Sequence, residues 1–181
     1  MIAAVKRMRL IDLVEDEKNG KGTYAGVSFS DDTIAGIKKY IKDNKIPNHT
    51  KFDKLHTTLL YSRKYCPDYK PAGKLDKPLI GKGSGFEVWD SQADDDGHVA
   101  KCLVMCYDCP DLIKRHKELM KEHGASYDFD EYKPHITFSY DINDGAGIDK
   151  DELPKFVTTI EIVEEYGEDL KLDWAKDNSD I

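Results

Sequence analysis

One short pattern occurs twice in this 181-residue chain and constrains its fold more than any other feature. Residues 54–61 have the sequence K-L-H-T-T-L-L-Y, and residues 133–140 have the sequence K-P-H-I-T-F-S-Y, so both fit the frame K-x-H-x-T-x-x-Y. Both segments have the alternation that predicts a β-strand, in which successive side chains point to opposite faces. The repeat therefore predicts two similar halves, each carrying one such strand.

Each predicted strand would present a cation, an imidazole and a hydroxyl on one face. The residues on these faces are Lys54, His56 and Thr58 in the first strand, and Lys133, His135 and Thr137 in the second. The opposite faces are mostly apolar and suit packing on a core. They carry Leu55, Thr57, Leu59 and Tyr61, and Pro134, Ile136, Phe138 and Tyr140. Cations, imidazoles and hydroxyls together are suited to binding a phosphate.

The signals around these strands predict an α+β fold. Ser30 is a good N-cap for a helix that ends near Asn44, and Pro110 and Gly124 bound a second helix. A segment rich in lysine, proline and glycine predicts a loop up to about Gly85. Further strands are predicted at 23–30, 86–89, 99–107 and 156–165. The element order indicates two lobes, with pseudo-twofold antiparallel sheets and flanking helices around a central cleft.

The length of the chain favours a single domain. We predict that residues 1–22, which are basic, then acidic, then glycine-containing, form a leader or flexible arm, and that residues 23–181 form the two-lobed domain. The N-terminus lacks the apolar stretch of a secretion signal, and no later segment is long enough to span a bilayer. We therefore expect a cytoplasmic protein without a membrane partner.

The four cysteines do not suggest a disulfide framework or a zinc site. Cys106 and Cys109 form a C-x-x-C pair, but no second pair completes a structural site. Cys102 and Cys106 share one face of an apolar strand, which is typical of reduced core thiols. The histidines also lack the spacing of metal ligands, so no metal or other cofactor is expected. His116, on the second helix, is predicted to lie at the surface, and Trp89 in the core.

The net charge of −8 argues against duplex DNA as a partner, because binding of the phosphate backbone requires extended cationic patches. A small nucleotide remains compatible with a few local lysines. Two histidines facing one cleft can act as general base and general acid. For a ribonucleotide phosphodiester this suffices, because the 2′-hydroxyl supplies the nucleophile. Thr58 and Thr137 are placed to donate to the phosphate oxygens. Which of His56 and His135 is the base stays open.

The paired H-x-T segments resemble the two-histidine (2H) phosphoesterase superfamily, whose signature is H-x-[ST]-x-hydrophobic. The second copy departs slightly, because its hydrophobic residue, Phe138, comes one place early. Within the superfamily, residues 54–64 and 133–137 look most like phage anti-CBASS proteins, which degrade the cyclic di- and trinucleotide signals of bacterial CBASS immunity. The likeness extends from about Gly22 to the C-terminus.

The resemblance implies a metal-independent phosphodiesterase that hydrolyses 3′–5′ linkages through a 2′,3′-cyclic phosphate in the host bacterial cytoplasm. The matched catalytic residues are His56, Thr58, His135 and Thr137. The family also has aromatic residues that clamp the bases, which match Tyr24 and Trp174, although Trp174 could equally anchor the C-terminal segment to the core. Lys54 and Lys133 are expected to help neutralise the phosphates, unless they only face solvent.

Three alternatives stay open. An enzyme of the same superfamily could open terminal 2′,3′-cyclic phosphates of RNA, although the acidic net charge of −8 disfavours a long RNA partner. A sponge would bind nucleotide signals without cleaving them, and a purely structural phage protein would do neither. A cyclic oligonucleotide is the expected partner, and the sequence does not determine the oligomeric state.

Overall fold

The computed structural model describes residues 21–142 and 147–171, which form two helices and six strands. In chain order these are β1 (Lys21–Phe29), α1 (Asp31–Asp43), β2 (Thr57–Ser62), β3 (Gly73–Asp90), β4 (Lys101–Asp108), α2 (Pro110–His123), β5 (His135–Ser139) and β6 (Ile160–Lys171). A 3₁₀ turn at Phe52–Lys54 precedes β2. The predicted α+β class is confirmed. Within the described part of the chain, no helix has the length and apolarity needed to cross a membrane.

The strands form one antiparallel sheet whose order shows the two predicted halves. The order is β2-β1-β6-β3-β4-β5, with antiparallel pairing throughout. The two outermost strands, β2 and β5, carry the H-x-T segments. The neighbour of each is the strand that comes before it in the chain, β1 for β2 and β4 for β5. Each half therefore contains a β–α–β unit, β1-α1-β2 in one and β4-α2-β5 in the other, as the repeat predicts.

β3 connects the two halves and is the element that differs most from the prediction. It pairs with β6 as far as Gly81 and with β4 from Lys82 onwards. The loop predicted up to about Gly85 ends at Gly73, where β3 begins, so the prediction is wrong for residues 73–85. A Cβ atom on Gly81 would lie 2.7 Å from the ring of Tyr107, so glycine at this position lets β3 lie directly against that buried ring. Gly81, one of the glycines that suggest a loop, instead serves close packing.

α1 packs on the half of the sheet formed by β3, β4 and β5. Ser30 caps the helix, because its Oγ accepts a hydrogen bond from the backbone N–H of Thr33 at 3.3 Å. The ring of Tyr40 lies 5.3 Å from that of Phe86 on β3 and 5.9 Å from that of Phe138 on β5. The helix of the first β–α–β unit thus supports the strand that carries the second H-x-T segment.

α2 packs on the other half of the sheet. Arg115 donates two hydrogen bonds of 2.9 Å to the buried carboxylate of Glu165 on β6. His116 donates from Nδ1 to the carbonyl oxygen of Leu59 on β2 at 2.7 Å. His116 is only 5% exposed, so its predicted surface position is wrong. It lies in a buried stripe with Leu112 and Leu119, a helical spacing that would have placed it correctly.

The sheet curls until its two outermost strands meet. β2 and β5 lie at opposite ends of the strand order, yet the hydroxyl of Thr57 donates to the carbonyl oxygen of His135 at 2.8 Å. The hydroxyl of Tyr132, in the loop before β5, likewise donates to the carbonyl oxygen of Thr58 at 2.8 Å. Side chains therefore bridge the two edges, and both H-x-T segments lie at this junction.

Candidate active site

Each H-x-T strand contains an extra residue directly after the motif threonine. This residue is Leu59 in β2 and Phe138 in β5, and both are fully buried. Such a bulge changes which face the following residues occupy. Tyr61 accordingly lies opposite Tyr24 on the neighbouring strand, and residues opposite each other share a face of the sheet. The Tyr24 hydroxyl contacts Thr58, so Tyr61 lies on the same face as this motif threonine. Its predicted position on the core face is wrong, because strict alternation does not allow for the bulge.

The two histidines occupy equivalent positions at the starts of these strands. His56 directly precedes β2, and His135 is the first residue of β5. Nδ1 of His56 lies 2.8 Å from the carbonyl oxygen of Lys54, and Nδ1 of His135 lies 2.9 Å from that of Lys133. A carbonyl oxygen can only accept, so Nδ1 carries the hydrogen in each neutral ring. Nε2 of both imidazoles is then the atom that can exchange a proton with a substrate.

Contrary to the prediction from the alternation, neither lysine lies within a strand. Lys54 ends the 3₁₀ turn at Phe52–Lys54, and Lys133 precedes β5, which begins at His135. Their backbone carbonyls orient the imidazoles, while the Lys133 ammonium lies 3.7 Å from a carboxylate oxygen of Glu87. The predicted contact of both ammonium groups with substrate phosphates stays a prediction.

The surroundings of His135 favour its neutral form. Burial lowers the pKa of His135 below its usual value, and the nearby positive charge of His56 lowers it further. The hydrogen bond to the Lys133 carbonyl and the negative charge of Glu87 act in the opposite direction but do not reverse the effect. His135 is therefore neutral at pH 7 and able to accept a proton.

Replacing His56 by glutamine should raise the pKa of His135. The substitution removes the positive charge that disfavours protonation of His135 but leaves its burial unchanged. Titration of the His135 ring by NMR, without substrate, measures this directly. His98→Gln is the matched control, because His98 lies in an exposed turn and pairs with Asp141. An unchanged His135 pKa in His56→Gln would mean that the two imidazoles do not interact.

Two tyrosines surround the first motif threonine. The Tyr24 hydroxyl lies 3.2 Å from Oγ1 of Thr58, and its ring lies 6.5 Å from the ring of His56. Burial raises the pKa of Tyr24 well above its usual value, so its hydroxyl stays protonated. The ring of Tyr166 lies 6.3 Å from that of Tyr24. It also lies over Gly26, where an added Cβ atom would be 2.6 Å from the Tyr166 ring. The family resemblance implied a base-clamping role for Tyr24, whereas no sequence signal pointed to Tyr166.

A tryptophan and a glutamate accompany the second histidine. The ring of Trp89 lies 4.4 Å from that of His135, edge to face, and its Nε1–H donates to the carboxylate of Glu87 at 2.6 Å. This indole N–H is the main cause that lowers the pKa of Glu87. Trp89 is half-buried beside His135, so the prediction that it belongs to the core is wrong. The spacing of Glu87 and Trp89 on one strand puts both on one face, a signal that was available.

Cys106 also lies beside His135, as its partner in the pairing of β4 and β5. Burial raises the pKa of Cys106 to about 11, so its thiol is protonated at neutral pH and is a poor nucleophile. None of the four cysteines, all of which lie within the described residues, forms a disulfide bond. Over residues 21–142 and 147–171, no three or more His, Cys, Asp or Glu side chains cluster in a way that would hold a metal ion.

The structure thus brings most of the predicted site residues to one junction. His56, Thr58 and Tyr24 lie along the β2 edge. His135 lies on the β5 edge, and Thr137, two residues further along the strand, faces the same way. Trp174, the second predicted clamp, lies outside the described residues.

Comparison with known proteins identifies relatives over almost the whole chain. A family model described as anti-CBASS protein Acb1 matches residues 21–177. The anti-CBASS protein Acb1 of Acinetobacter phage Ac42 is 37% identical over 157 residues, which cover 85% of this chain and 94% of the relative. Those of Salmonella phage S16 and Enterobacteria phage T4 are each 31% identical, over 156 and 165 residues. These matches cover 86% and 91% of this chain, and 93% and 99% of the relatives.

Among solved structures, the crystal structure of TT0787 of Thermus thermophilus is similar, with a TM-score of 0.45 and 13% sequence identity. The match covers 80% of this chain and 82% of that chain. A likeness at this level carries no functional argument, so the sequence relatives alone indicate the family.

Proposed function

The chain belongs to the anti-CBASS protein Acb1 family, and we propose that it cleaves cyclic di- or trinucleotide immune signals, such as 3′,3′-cyclic GMP–AMP, so that a phage evades CBASS. The observation that carries the proposal is the matched orientation of two imidazoles. His56 and His135 each direct Nδ1 to a backbone carbonyl and keep Nε2 for proton transfer, on two edges that meet. Two such groups can supply the base and the acid of a phosphodiesterase.

In the first step, Nε2 of His135 removes the proton of a ribose 2′-hydroxyl. The 2′-oxygen attacks the adjacent phosphorus, the P–O5′ bond breaks, and Nε2–H of His56 protonates the departing 5′-oxygen. The product carries a 2′,3′-cyclic phosphate. We assign the base to His135 because burial and the charge of His56 lower its pKa, which keeps it neutral at pH 7.

In the second step the histidine roles are exchanged. His56, now neutral, removes a proton from water, and the hydroxide attacks the cyclic phosphate. The P–O2′ bond breaks, protonated His135 returns its proton to the 2′-oxygen, and a 3′-phosphate is left. The two steps together restore both imidazoles to their initial states.

Hydroxyl and aromatic groups around the histidines suit the rest of the substrate. Thr58 and Thr137 would donate to the non-bridging phosphate oxygens, where negative charge develops. Tyr24 beside His56 and Trp89 beside His135 offer one aromatic side chain near each imidazole. Stacking of a base on an aromatic side chain contributes about 1–3 kcal/mol. The same proposal includes a role for Trp174 as a further clamp on the bases. It also includes a role for Lys54 and Lys133 in neutralising the phosphates.

Product analysis tests the function directly. The protein is incubated with 3′,3′-cyclic GMP–AMP in excess EDTA, and the products are separated by chromatography and identified by mass. We expect linear products that carry a 2′,3′-cyclic phosphate or a 3′-phosphate, because neither proton transfer requires a metal ion. The protein with both His56→Ala and His135→Ala is the control for contaminating nucleases.

Two other outcomes would favour the alternatives. An intact cyclic dinucleotide combined with rapid opening of a mononucleotide 2′,3′-cyclic phosphate would indicate an RNA end-processing enzyme. An intact dinucleotide that nevertheless binds, with affinity unaffected by His56→Ala, would indicate a sponge. The charge of −8 and the two-histidine junction favour cleavage of a small nucleotide over both. Two further points stay predictions: that the protein acts in the host cytoplasm, and that its domain starts near residue 23.

A further inference from the structure

A chain of two buried hydroxyls connects the edges on which the two histidines lie. Thr57, the residue between His56 and Thr58, is fully buried. Its Oγ1 lies 2.8 Å from the carbonyl oxygen of His135 and 2.8 Å from the hydroxyl of Tyr107. Because a carbonyl oxygen can only accept, Thr57 donates to His135, and Tyr107 in turn donates to Thr57. The direction of every hydrogen bond in the chain is therefore fixed.

The carbonyl of His135 needs a partner from outside its own sheet edge. β5 is the last strand in the sheet order, with β4 as its neighbour, and residues 48–50 cover its other edge near Ser139. At His135, the start of β5, the side chain of Thr57 meets that edge instead. A carbonyl shielded from water that lacks a hydrogen bond destabilises the folded state. Thr57 provides the donor across the junction, so the backbone of the second histidine is bonded to the residue that follows the first.

Tyr107 holds the beginning of β5 at two points. Its backbone N–H donates to the carbonyl oxygen of Pro134 at 3.0 Å, and its hydroxyl reaches His135 through Thr57. The Tyr107 side chain is 2% exposed, so it does not touch a substrate on the histidine side of the sheet. Thr57 and Tyr107 thus contact the backbone around both histidines without lying among the reacting groups.

We propose that Thr57 and Tyr107 are positioning residues, which set the separation between the imidazoles of His56 and His135. The inference rests on the proposed function, because both imidazoles must reach one phosphodiester group from opposite sides. A misplacement of about 1 Å can lower an enzymatic rate by about 10²-fold. Breaking the bond between Thr57 and His135 removes one of the hydrogen bonds that bridge the two edges, while the bond from Tyr132 to Thr58 remains. The start of β5 can then shift relative to His56, which should slow the reaction.

Thr57→Val removes the hydroxyl but keeps the β-branched shape. We expect kcat to fall by about 10- to 100-fold, because the loss is one of alignment, while KM changes less than about 3-fold. Thr57→Ser should recover most of the lost kcat because it restores the donor. Tyr107→Phe should lower kcat by less than Thr57→Val, and the double variant should be no slower than Thr57→Val alone, since both act through one chain.

Thr33→Val is the matched control. Thr33 is also fully buried, and its hydroxyl donates to the carbonyl oxygen of Thr159 at 3.0 Å, far along the chain from the histidines. This variant should lose stability and keep kcat. Unchanged kcat in folded Thr57→Val, or a change in KM alone, would overturn the inference. If Thr57→Val does not fold, Tyr107→Phe decides by the same criterion.

A measurement without substrate separates this inference from the proposed function. If the edges move apart in Thr57→Val, the charge of His56 acts less strongly on His135, so the pKa of His135 rises relative to the wild-type protein. NMR titration of the His135 ring detects this rise. A wild-type protein that leaves the nucleotide intact refutes the proposed function, whereas an unchanged His135 pKa in Thr57→Val refutes the positioning role.

Discussion

Replacement of His56 or His135 by alanine is expected to lower kcat by about 10²–10⁴-fold, which is the usual contribution of a general acid or base. Each substitution removes one of the two proton transfers, and the remaining imidazole cannot perform both in one displacement. The double variant should be little slower than either single variant, because residues that act as a unit lose their effect together. Single-turnover cleavage of 3′,3′-cyclic GMP–AMP at pH 7 measures all three rates.

His98→Ala is the control for the loss of a histidine as such. His98 lies in an exposed turn, where it pairs with Asp141. It should retain the wild-type rate. All variants should keep the wild-type unfolding temperature within a few degrees, since neither motif histidine belongs to the buried core. Full activity in a folded His56→Ala or His135→Ala protein would refute two-histidine catalysis.

The helices could be predicted from the sequence because their limits depend on local groups. Ser30 before α1, and Pro110 and Gly124 around α2, cap or end a helix whatever surrounds it. β3 could not be predicted in the same way. Its eighteen residues stay extended because they pair first with β6 and then with β4, which lie at a distance in the chain. Composition alone indicated a loop, since the role of Gly81 depends on the ring of Tyr107.

The repeat specifies one part of the candidate site, and tertiary structure specifies the rest. The spacing of histidine and threonine is local, so the sequence alone proposes the motif residues. The contact of Trp89 with His135 depends on the pairing of β3, β4 and β5, which the sequence does not show. The bulges after Thr58 and Thr137 likewise depend on the partner strands. Two periodic features do predict part of the structure: the buried stripe of α2 that contains His116, and the alternate spacing of Glu87 and Trp89 on β3.

Thr58→Val and Thr137→Val are each expected to lower kcat by about 10²-fold, with little change in KM. The expectation rests on the loss of one preorganised donor to the phosphate, for which about 10²–10³-fold is typical. The hydroxyl oxygens of Thr58 and Tyr24 lie 3.2 Å apart, so one hydroxyl donates to the other. When Thr58 uses its single hydrogen to donate to the phosphate, Tyr24 must be the donor of this pair. Tyr24→Phe should therefore cost less than Thr58→Val, since it leaves the threonine hydroxyl present but less well oriented.

Serine at either position provides the matched control, because Thr58→Ser and Thr137→Ser retain the donor and should recover most of the rate. Substrates with sulfur in place of one non-bridging oxygen make the test sharper. Sulfur is a weak acceptor, so the wild-type enzyme should cleave the two phosphorothioate diastereomers at different rates. In a valine variant, the oxygen that the threonine contacted no longer accepts this hydrogen bond. Replacing that oxygen by sulfur should then no longer change the rate, and this discrimination should be lost. If both valine variants cleave at the wild-type rate and keep the wild-type preference, the threonines do not contact the phosphate. Stabilisation of the developing charge must then come from other groups at the junction, such as Lys54 or Lys133.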